Sequence, residues 1–221
     1  MPAVSISIDG PTASGKTTLA TSLAEELGLA FLDTGVTYRS LAYALDHVPV
    51  ERLRTDLGSL LVHRPEVHHR QGKRGICQHH AILFRGEDIT EQIWHASLDG
   101  NLKAIAQDEA CRREILRLHQ SIVEKYDDIV AVGRDVAVTL LPHASLHVYL
   151  TASETIRRER RRAQYRHLKD RSTSVGPATE RDLRNRDAIR AMPNAMEVDS
   201  TYSPASAVFA SALHGLRRHT S

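Results

Sequence analysis

Cysteine is nearly absent: Cys77 and Cys111 are the only two in 221 residues. They are too few and too isolated for a disulfide framework, so a reducing cytoplasm is the expected setting, and each reads as a small filler rather than a nucleophile. Aromatics are also scarce, at 5% with a single Trp, and the most basic stretch of the chain is interleaved only by Tyr165. That argues against a surface that stacks nucleic-acid bases. Charge of one sign is not in excess: the formal net charge is +2, which favours neither a nucleic-acid nor a membrane partner. No apolar run is long enough to span a bilayer, and the N-terminus enters a strand without a signal peptide. Internal repeats and low-complexity segments are missing as well.

Histidine, in contrast, is abundant, with thirteen in the chain. His68-His69 and His79-His80 fall on an expected hairpin, Glu66–Arg70 and Ile76–Arg85, around Gly72-Lys73-Arg74-Gly75. No helical His-x-x-x-His or Cys/His knuckle accompanies them, so solvated hairpin polarity is the reading and no metal is assigned there.

What the chain does have is Gly10-Pro11-Thr12-Ala13-Ser14-Gly15-Lys16-Thr17, followed by Thr18. This is the G-x-x-x-x-G-K-T pattern of a P-loop. Its glycines let successive N–H groups point at phosphate oxygens, Lys16 reaches the β- and γ-phosphates, and the Thr17 hydroxyl is placed to ligate Mg²⁺. The context fits. Ala3–Ile8 is a β-branched, apolar strand, and Leu19, Leu23 and Leu27 form one face of a helix that Gly28 ends. The helix aims its positive N-terminal dipole at the same anion.

Further strands are expected at 29–32, 128–132, 146–150 and 196–198, and helices at 36–46, 50–63, 91–107, 108–125, 153–167, 179–190 and 205–218. Strands alternating with helices give a parallel α/β sheet, with ligands at the carboxyl ends of its strands. Gly10, Asp33, Gly133 and Ser153 gather there. The helix from Glu154 carries Arg157, Arg158, Arg160, Arg161, Arg162 and Arg166, and 179–190 adds Arg181, Arg184, Arg186 and Arg190. A helix shows a ligand only part of its circumference, so two or three of these reach phosphate and the rest are a solvated face. They bracket a Ser/Thr/Gly/Pro loop at 168–178, the layout of a lid that closes over a triphosphate and excludes water.

With these residues in hand, the chain resembles the bacterial-type cytidylate kinases over nearly its whole length. The marks are Ile8-Asp9-Gly10-Pro11 running into Gly15-Lys16-Thr17, Leu32-Asp33-Thr34-Gly35-x-x-Tyr38-Arg39, Gly86-Glu87-Asp88-Ile89-Thr90-Glu91, Gly133-Arg134-Asp135-Val136, and Pro142-His143-Ala144 before the strand at Leu146. The resemblance implies a P-loop nucleoside monophosphate kinase fold, with a five-stranded parallel sheet flanked by helices. It divides the chain into a core (1–35, 126–153 and 191–221), a hairpin-containing monophosphate-binding subdomain (about 36–125) and a helical lid (about 154–190). The implied reaction passes the γ-phosphate of ATP, with Mg²⁺, to a cytidine-type 5′-monophosphate (CMP or dCMP), in a monomer that takes only small-molecule nucleotides. The implied catalytic cations are Lys16, Arg134, Arg157, Arg161 and Arg186. Asp33, Thr34, Tyr38, Arg39, Ala104, Arg113, Arg134, Asp135, Asp187 and Arg190 would bind the acceptor. An Asp with an Arg suits cytosine, whose N4 donates and whose N3 and O2 accept; uracil would put a carbonyl against Asp135. The acceptor phosphate is already anionic, so no general base is needed.

The chain departs from the family pattern where a Ser is usual and Ala104 stands, and where an Asp is usual and Val132 stands. It departs again at Ile93-Trp94-His95-Ala96, which lacks the usual Arg-Ser/Thr, and in a shortened Arg186–Arg190 segment. One reading is lineage drift. The other is a changed acceptor, such as 5-hydroxymethyl-CMP, fitting the room left by Ala104. A P-loop kinase of another small-molecule class is a third alternative, with less reason for the hairpin and the Gly-Arg-Asp element.

Overall fold

The computed structural model describes residues 3–64, 66–67, 81–164, 175 and 179–220. The chain opens with β1 (Ser5–Asp9), the P-loop, α1 (Lys16–Leu27), β2 (Ala30–Asp33) and α2 (Thr34–Ala44). There follow α3 (Val50–Thr55), α4 (Leu57–Leu60), β3 (Leu61–Arg64), β4 (Glu66–Val67), β5 (Ala81–Phe84) and β6 (Glu87–Asp88). Two 3₁₀ turns, Gln92–Trp94 and Ala96–Leu98, lead into α5 (Asp99–Gln107) and α6 (Glu109–Val123). The remainder is β7 (Ile129–Gly133), α7 (Val136–Thr139), β8 (Leu146–Thr151), α8 (Glu154–Gln164), α9 (Glu180–Arg190), β9 (Ala195–Asp199) and α10 (Ala205–Thr220).

The main sheet has the order β4-β2-β7-β1-β8-β9. The five strands from β2 to β9 run parallel, as expected, and β4 adds an antiparallel edge through Ala30↔Val67 and Phe31↔Glu66. Both faces are covered, which is why these strands read as continuous apolar runs. On one face Ile6, Ile8, Val130 and Val148 pack with Leu23 of α1 and Val208 and Leu216 of α10. On the other, Leu32, Ile129 and Ala131 meet Val136, Leu141 and Ile122. A separate cluster of Leu41, Leu53, Ile82, Ile93, Cys111 and Ile115 holds the inserted segments together. Cys111 is a free, fully buried thiol whose pKa burial pushes up to about 11, which keeps it protonated and inert.

Three sequence expectations shift. The helix expected over 50–63 breaks at Asp56, and its last residues form β3, antiparallel to β5 from Leu61↔Phe84 to Arg64↔Ala81. Leu61 and His63 are buried while Val62 is exposed, so the alternation of a strand wins over helix period there. The hairpin therefore starts earlier than expected, at 61 rather than 66, and residues 66–67 instead pair with β2. Its tip, with His68, His69, Cys77, His79 and His80, lies outside the described residues, as does the 168–178 loop apart from Val175. The helix expected from 91 starts at Asp99, because Ile93 and Leu98 are buried from successive 3₁₀ turns rather than at helical spacing. Among the described residues no helix is long and apolar enough to cross a membrane.

A buried polar knot ties the inserted segments to α2. The Thr37 hydroxyl lies 2.8 Å from His63 Nδ1 and 2.7 Å from His119 Nε2, so one hydroxyl joins α2, β3 and α6. Burial pushes the His119 pKa down to about 3, from an ordinary 6.5. The unfolded chain thus takes up this proton first as the pH falls. The stability tied to neutral His119 is complete above pH 6.5 and is lost towards pH 3, at about 1.4 kcal/mol per pH unit. Asp9 has the opposite sign, since burial raises its pKa from 3.8 to about 6 and acid favours its folded form across that window. The His119 share is therefore isolated with His119→Gln. In denaturant titrations from neutral to mildly acid pH, the wild type should lose stability relative to the variant; parallel curves would show that His119 is not held neutral.

Candidate active site

The P-loop curls around its own lysine. Lys16 Nζ donates to Gly10 O at 2.9 Å and to Pro11 O at 2.8 Å, occupying the concavity that the loop's amides face. Gly10 sits at φ 146°, and a Cβ there would lie 2.2 Å from Leu150 O, so only glycine lets the loop pass β8. Gly15 and Ala13 also take positive φ, and the buried Ser14 hydroxyl has no hydrogen-bond partner among the described residues. Burial lowers the Lys16 pKa to about 8, despite the nearby Asp33 carboxylate.

Two arginines converge on the same loop. Arg134 Nη2 donates to Thr12 Oγ1 at 2.8 Å, and Arg157 Nη1 donates to Thr12 O at 3.2 Å. Arg157 is buried, anchored by its Nε to Ala152 O at 3.2 Å, and Arg161 is buried one turn further along α8. Arg158 pairs with Glu154, and Arg160 donates to the Ser200 hydroxyl, which in turn donates to Ser14 O of the loop at 2.8 Å. Of the α8 arginines, Arg157 is hydrogen-bonded directly to the P-loop.

Asp33 ends β2 as the N-cap of α2, accepting from Gly35 N at 3.0 Å, and its other oxygen stands 3.4 Å from Thr17 Oγ1. A hydroxyl and a carboxylate side by side are the hard oxygen donors that Mg²⁺ prefers. Thr34 Oγ1 donates to Val132 O at 2.8 Å, clamping α2 to β7.

Beside this cradle opens a cleft of about 340 Å³, whose lining includes Thr34, Tyr38, Glu109, Arg112, Arg113 and Asp135 together with apolar side chains of α6 and α7. Asp135 Oδ2 accepts from Arg112 at 3.4 Å and from Arg181 at closer range. Arg113 lies at the rim with its guanidinium on Glu109 at 2.9 Å. Arg39 is buried away from the cleft lining, its guanidinium 5.2 Å from the Trp94 ring centre and 4.0 Å from Asp99.

Several expected site residues lie elsewhere. Arg186 and Arg190, one turn apart on α9, both clamp Glu197 of β9, and Asp187 is exposed between them. The face of α9 that meets the site carries Arg181, Asp182 and Asn185 instead: Arg134 Nη1 is 3.6 Å from Asp182, and Asn185 Nδ2 donates to Arg134 O at 2.9 Å. Thr179 sets this phase through a capping box with Asp182, a signal readable in the sequence as Thr-x-x-Asp. Ala104 is exposed on α5 and does not line the cleft, so it makes no room there. Arg112 and Asp9 also escaped the sequence reading. Asp9 is fully buried and accepts from Val136 N at 2.7 Å and Ala137 N at 2.9 Å.

Gly133 joins the two halves of the site. A Cβ there would fall 2.5 Å from Thr34 Oγ1 and 2.7 Å from Val136 Cγ2, both of which border the cleft. Gly133→Ala should therefore cost about 1–3 kcal/mol of stability through overpacking and raise the acceptor KM more than the ATP KM. Thermal unfolding with two-substrate kinetics checks this, and an unchanged Tm with an unchanged acceptor KM refutes it.

Comparison with known proteins identifies the family. The family model for cytidylate kinase matches residues 6–218. A cytidylate kinase of Herpetosiphon aurantiacus is 34% identical over 195 residues, covering 88% of this chain and 84% of that protein. One from Stutzerimonas stutzeri is 34% identical over 208 residues, covering 89% and 87%. Among solved structures, a gluconokinase from Sinorhizobium meliloti aligns over 98% of this chain and 93% of its own at 16% identity, with a TM-score of 0.48. The chain belongs to the cytidylate kinase family.

Proposed function

We propose that the protein transfers the γ-phosphoryl group of ATP to the 5′-phosphate of CMP or dCMP. The observation that carries this reading is the convergence of Lys16, Arg134 and Arg157 on one P-loop, beside a cleft lined by carboxylates, guanidinium groups and apolar side chains. Family membership supplies the acceptor class.

Phosphoryl transfer asks for positioning and charge rather than covalent help. The loop amides and Lys16 would bind the β- and γ-phosphates, with Lys16 exchanging two backbone carbonyls for phosphate oxygens. Arg134 and Arg157, held meanwhile by the neutral oxygens of Thr12, would turn to the equatorial oxygens of the group in transit, with Arg161 behind them. Thr17 would ligate Mg²⁺ with Asp33 beside it, and the bound ion would offset negative charge on the triphosphate. Thr34, Tyr38 and Asp135 would position the acceptor, whose own phosphate oxygen is the nucleophile. Residues 154–190 act as the lid, 36–125 as the acceptor-binding part and the remainder as the core. The free thiol of Cys111 suits the cytoplasm, where both nucleotides are found. With Ala104 off the cleft, nothing favours a modified cytosine over the plain one.

Lys16→Ala should lower turnover by about two to three orders of magnitude, with thermal stability retained. In the free protein the Lys16 charge is present below about pH 8 and lost above it. Accordingly kcat/KM for ATP should fall as the pH rises through that value, while kcat, reporting the bound state, falls less. A coupled ADP-release assay with CMP, dCMP, UMP and AMP tests the acceptor: cytidine nucleotides should be preferred, and equal use of UMP would refute the reading.

A further inference from the structure

Two Arg-Asp dipeptides meet at the site, Arg134-Asp135 after β7 and Arg181-Asp182 in the first turn of α9. They are joined crosswise: Arg181 holds Asp135, and Arg134 Nη1 stands 3.6 Å from Asp182 Oδ1. The two carboxylates are not alike. Asp135 is partly exposed in the cleft lining, whereas the Asp182 side chain is only 3% exposed, paired with a guanidinium that is 46% exposed.

Helix capping accounts for one oxygen of Asp182. Its Oδ2 accepts from Thr179 N at 2.9 Å and from Thr179 Oγ1 at 2.8 Å, closing the capping box. The Tyr149 hydroxyl donates to Asp182 O at 3.0 Å and pins this turn of α9 to β8. Capping needs neither the burial nor the second oxygen. A carboxylate taken out of water is costly unless a cation stands by it, and the oxygen that the cap leaves over faces Arg134. The same helix grips that arginine again through Asn185 Nδ2 on Arg134 O at 2.9 Å. On the P-loop side, Arg134 Nη2 donates to Thr12 Oγ1. Burial lowers the pKa of Lys16 to about 8 and that of Arg157 as well, and Asp182 is among the carboxylates that oppose this at both. One buried anion therefore acts on all three cations that converge on the P-loop.

We propose that Asp182 is a positioning residue for phosphoryl transfer: without touching either nucleotide, it aims the Arg134 guanidinium across the P-loop while capping the helix that carries it. When a triphosphate displaces the neutral Thr12 oxygen, the ion pair with Asp182 stays, and Arg134 turns about it. Forming the first turn of α9 and orienting Arg134 are then one event. An anion behind the guanidinium does not help to bind a polyanion, so its contribution is orientation, which is read in kcat. The inference rests on the phosphoryl transfer proposed above.

Asp182→Asn keeps an oxygen for the cap and removes the charge, whereas Thr179→Ala removes the reciprocal side of the cap and keeps the charge. With ATP and CMP at neutral pH, Asp182→Asn should lower kcat by about ten- to a hundredfold without raising KM for ATP. Thr179→Ala should lower Tm and keep kcat near the wild-type value. In an Arg134→Met background, Asp182→Asn should lower kcat little further, because the group it orients is gone. Should Asp182→Asn not fold, Asp182→Glu serves in its place: it keeps the cap acceptor but displaces the charge, and its loss of kcat should likewise vanish with Arg134→Met. If the charge variant leaves kcat unchanged, if Thr179→Ala lowers kcat as much, or if the losses at 182 and 134 multiply, Asp182 only caps the helix. A wild type that does not phosphorylate CMP would overturn the functional reading instead, so the two failures are told apart.

Discussion

The site depends on one buried carboxylate. Asp9 ends the central strand β1 directly before the P-loop, fully out of water, and accepts the amides of Val136 and Ala137. Those amides follow Arg134 and Asp135 without a gap. The same side chain thus sets where the phosphate cradle stands and where the acceptor-facing residues stand, and it fixes the distance between them. Burial raises its pKa to about 6, with the two backbone N–H groups working in the opposite direction. An ionised carboxylate held this way is expensive, and it is kept where two half-sites must meet to within a fraction of an ångström. Gly10 and Gly133 serve the same end, since a Cβ on either would strike backbone or the side chains that close the cleft.

The cations of the protein sort by what they touch. Lys16, Arg134 and Arg157 are met at the P-loop by neutral carbonyl and hydroxyl oxygens. Arg54, Arg186 and Arg190 are met by carboxylates, on Asp108 and Glu197. A triphosphate carrying several charges outcompetes a peptide carbonyl for a guanidinium, whereas displacing a paired carboxylate gains little. The first group is therefore poised to exchange partners and the second fastens elements together: α3 to the start of α6, α9 to β9. Arg134 belongs to both arrangements, with Asp182 behind it at 3.6 Å and Thr12 in front.

Much of this was legible in the sequence because it is dictated locally. Gly10 to Thr17, Asp33-Thr34-Gly35 and Gly133-Arg134-Asp135 each need particular residue types for a turn, a cap or a close approach, so spacing alone identifies them. The parallel sheet was legible for a similar reason, as strands buried on both faces must be apolar throughout. The rest hinged on partners far away in the chain. Leu60-Leu61-Val62-His63 fits a helix or a strand equally until β5 is there to pair with it. Which arginine of α9 meets the site depends on the helix face, and the face is set by Thr179 at one end and Glu197 across the sheet edge.

The same geometry explains why an apparent loss in the acceptor site need not be one. Ala104, read along the chain, stands where a hydroxyl was expected against the base, and its methyl suggested a larger acceptor. In the fold it is exposed on α5, while the neighbouring helix turns a second guanidinium, Arg112, into the cleft. Hydrogen-bonding capacity at a site belongs to the cavity and not to any one position. The polar groups that face this cleft come from α2, from α6 and from the turn after β7, and not from the position of Ala104. A guanidinium turned into such a cleft needs a carboxylate beside it, and Asp135, shared with Arg181, supplies one for Arg112.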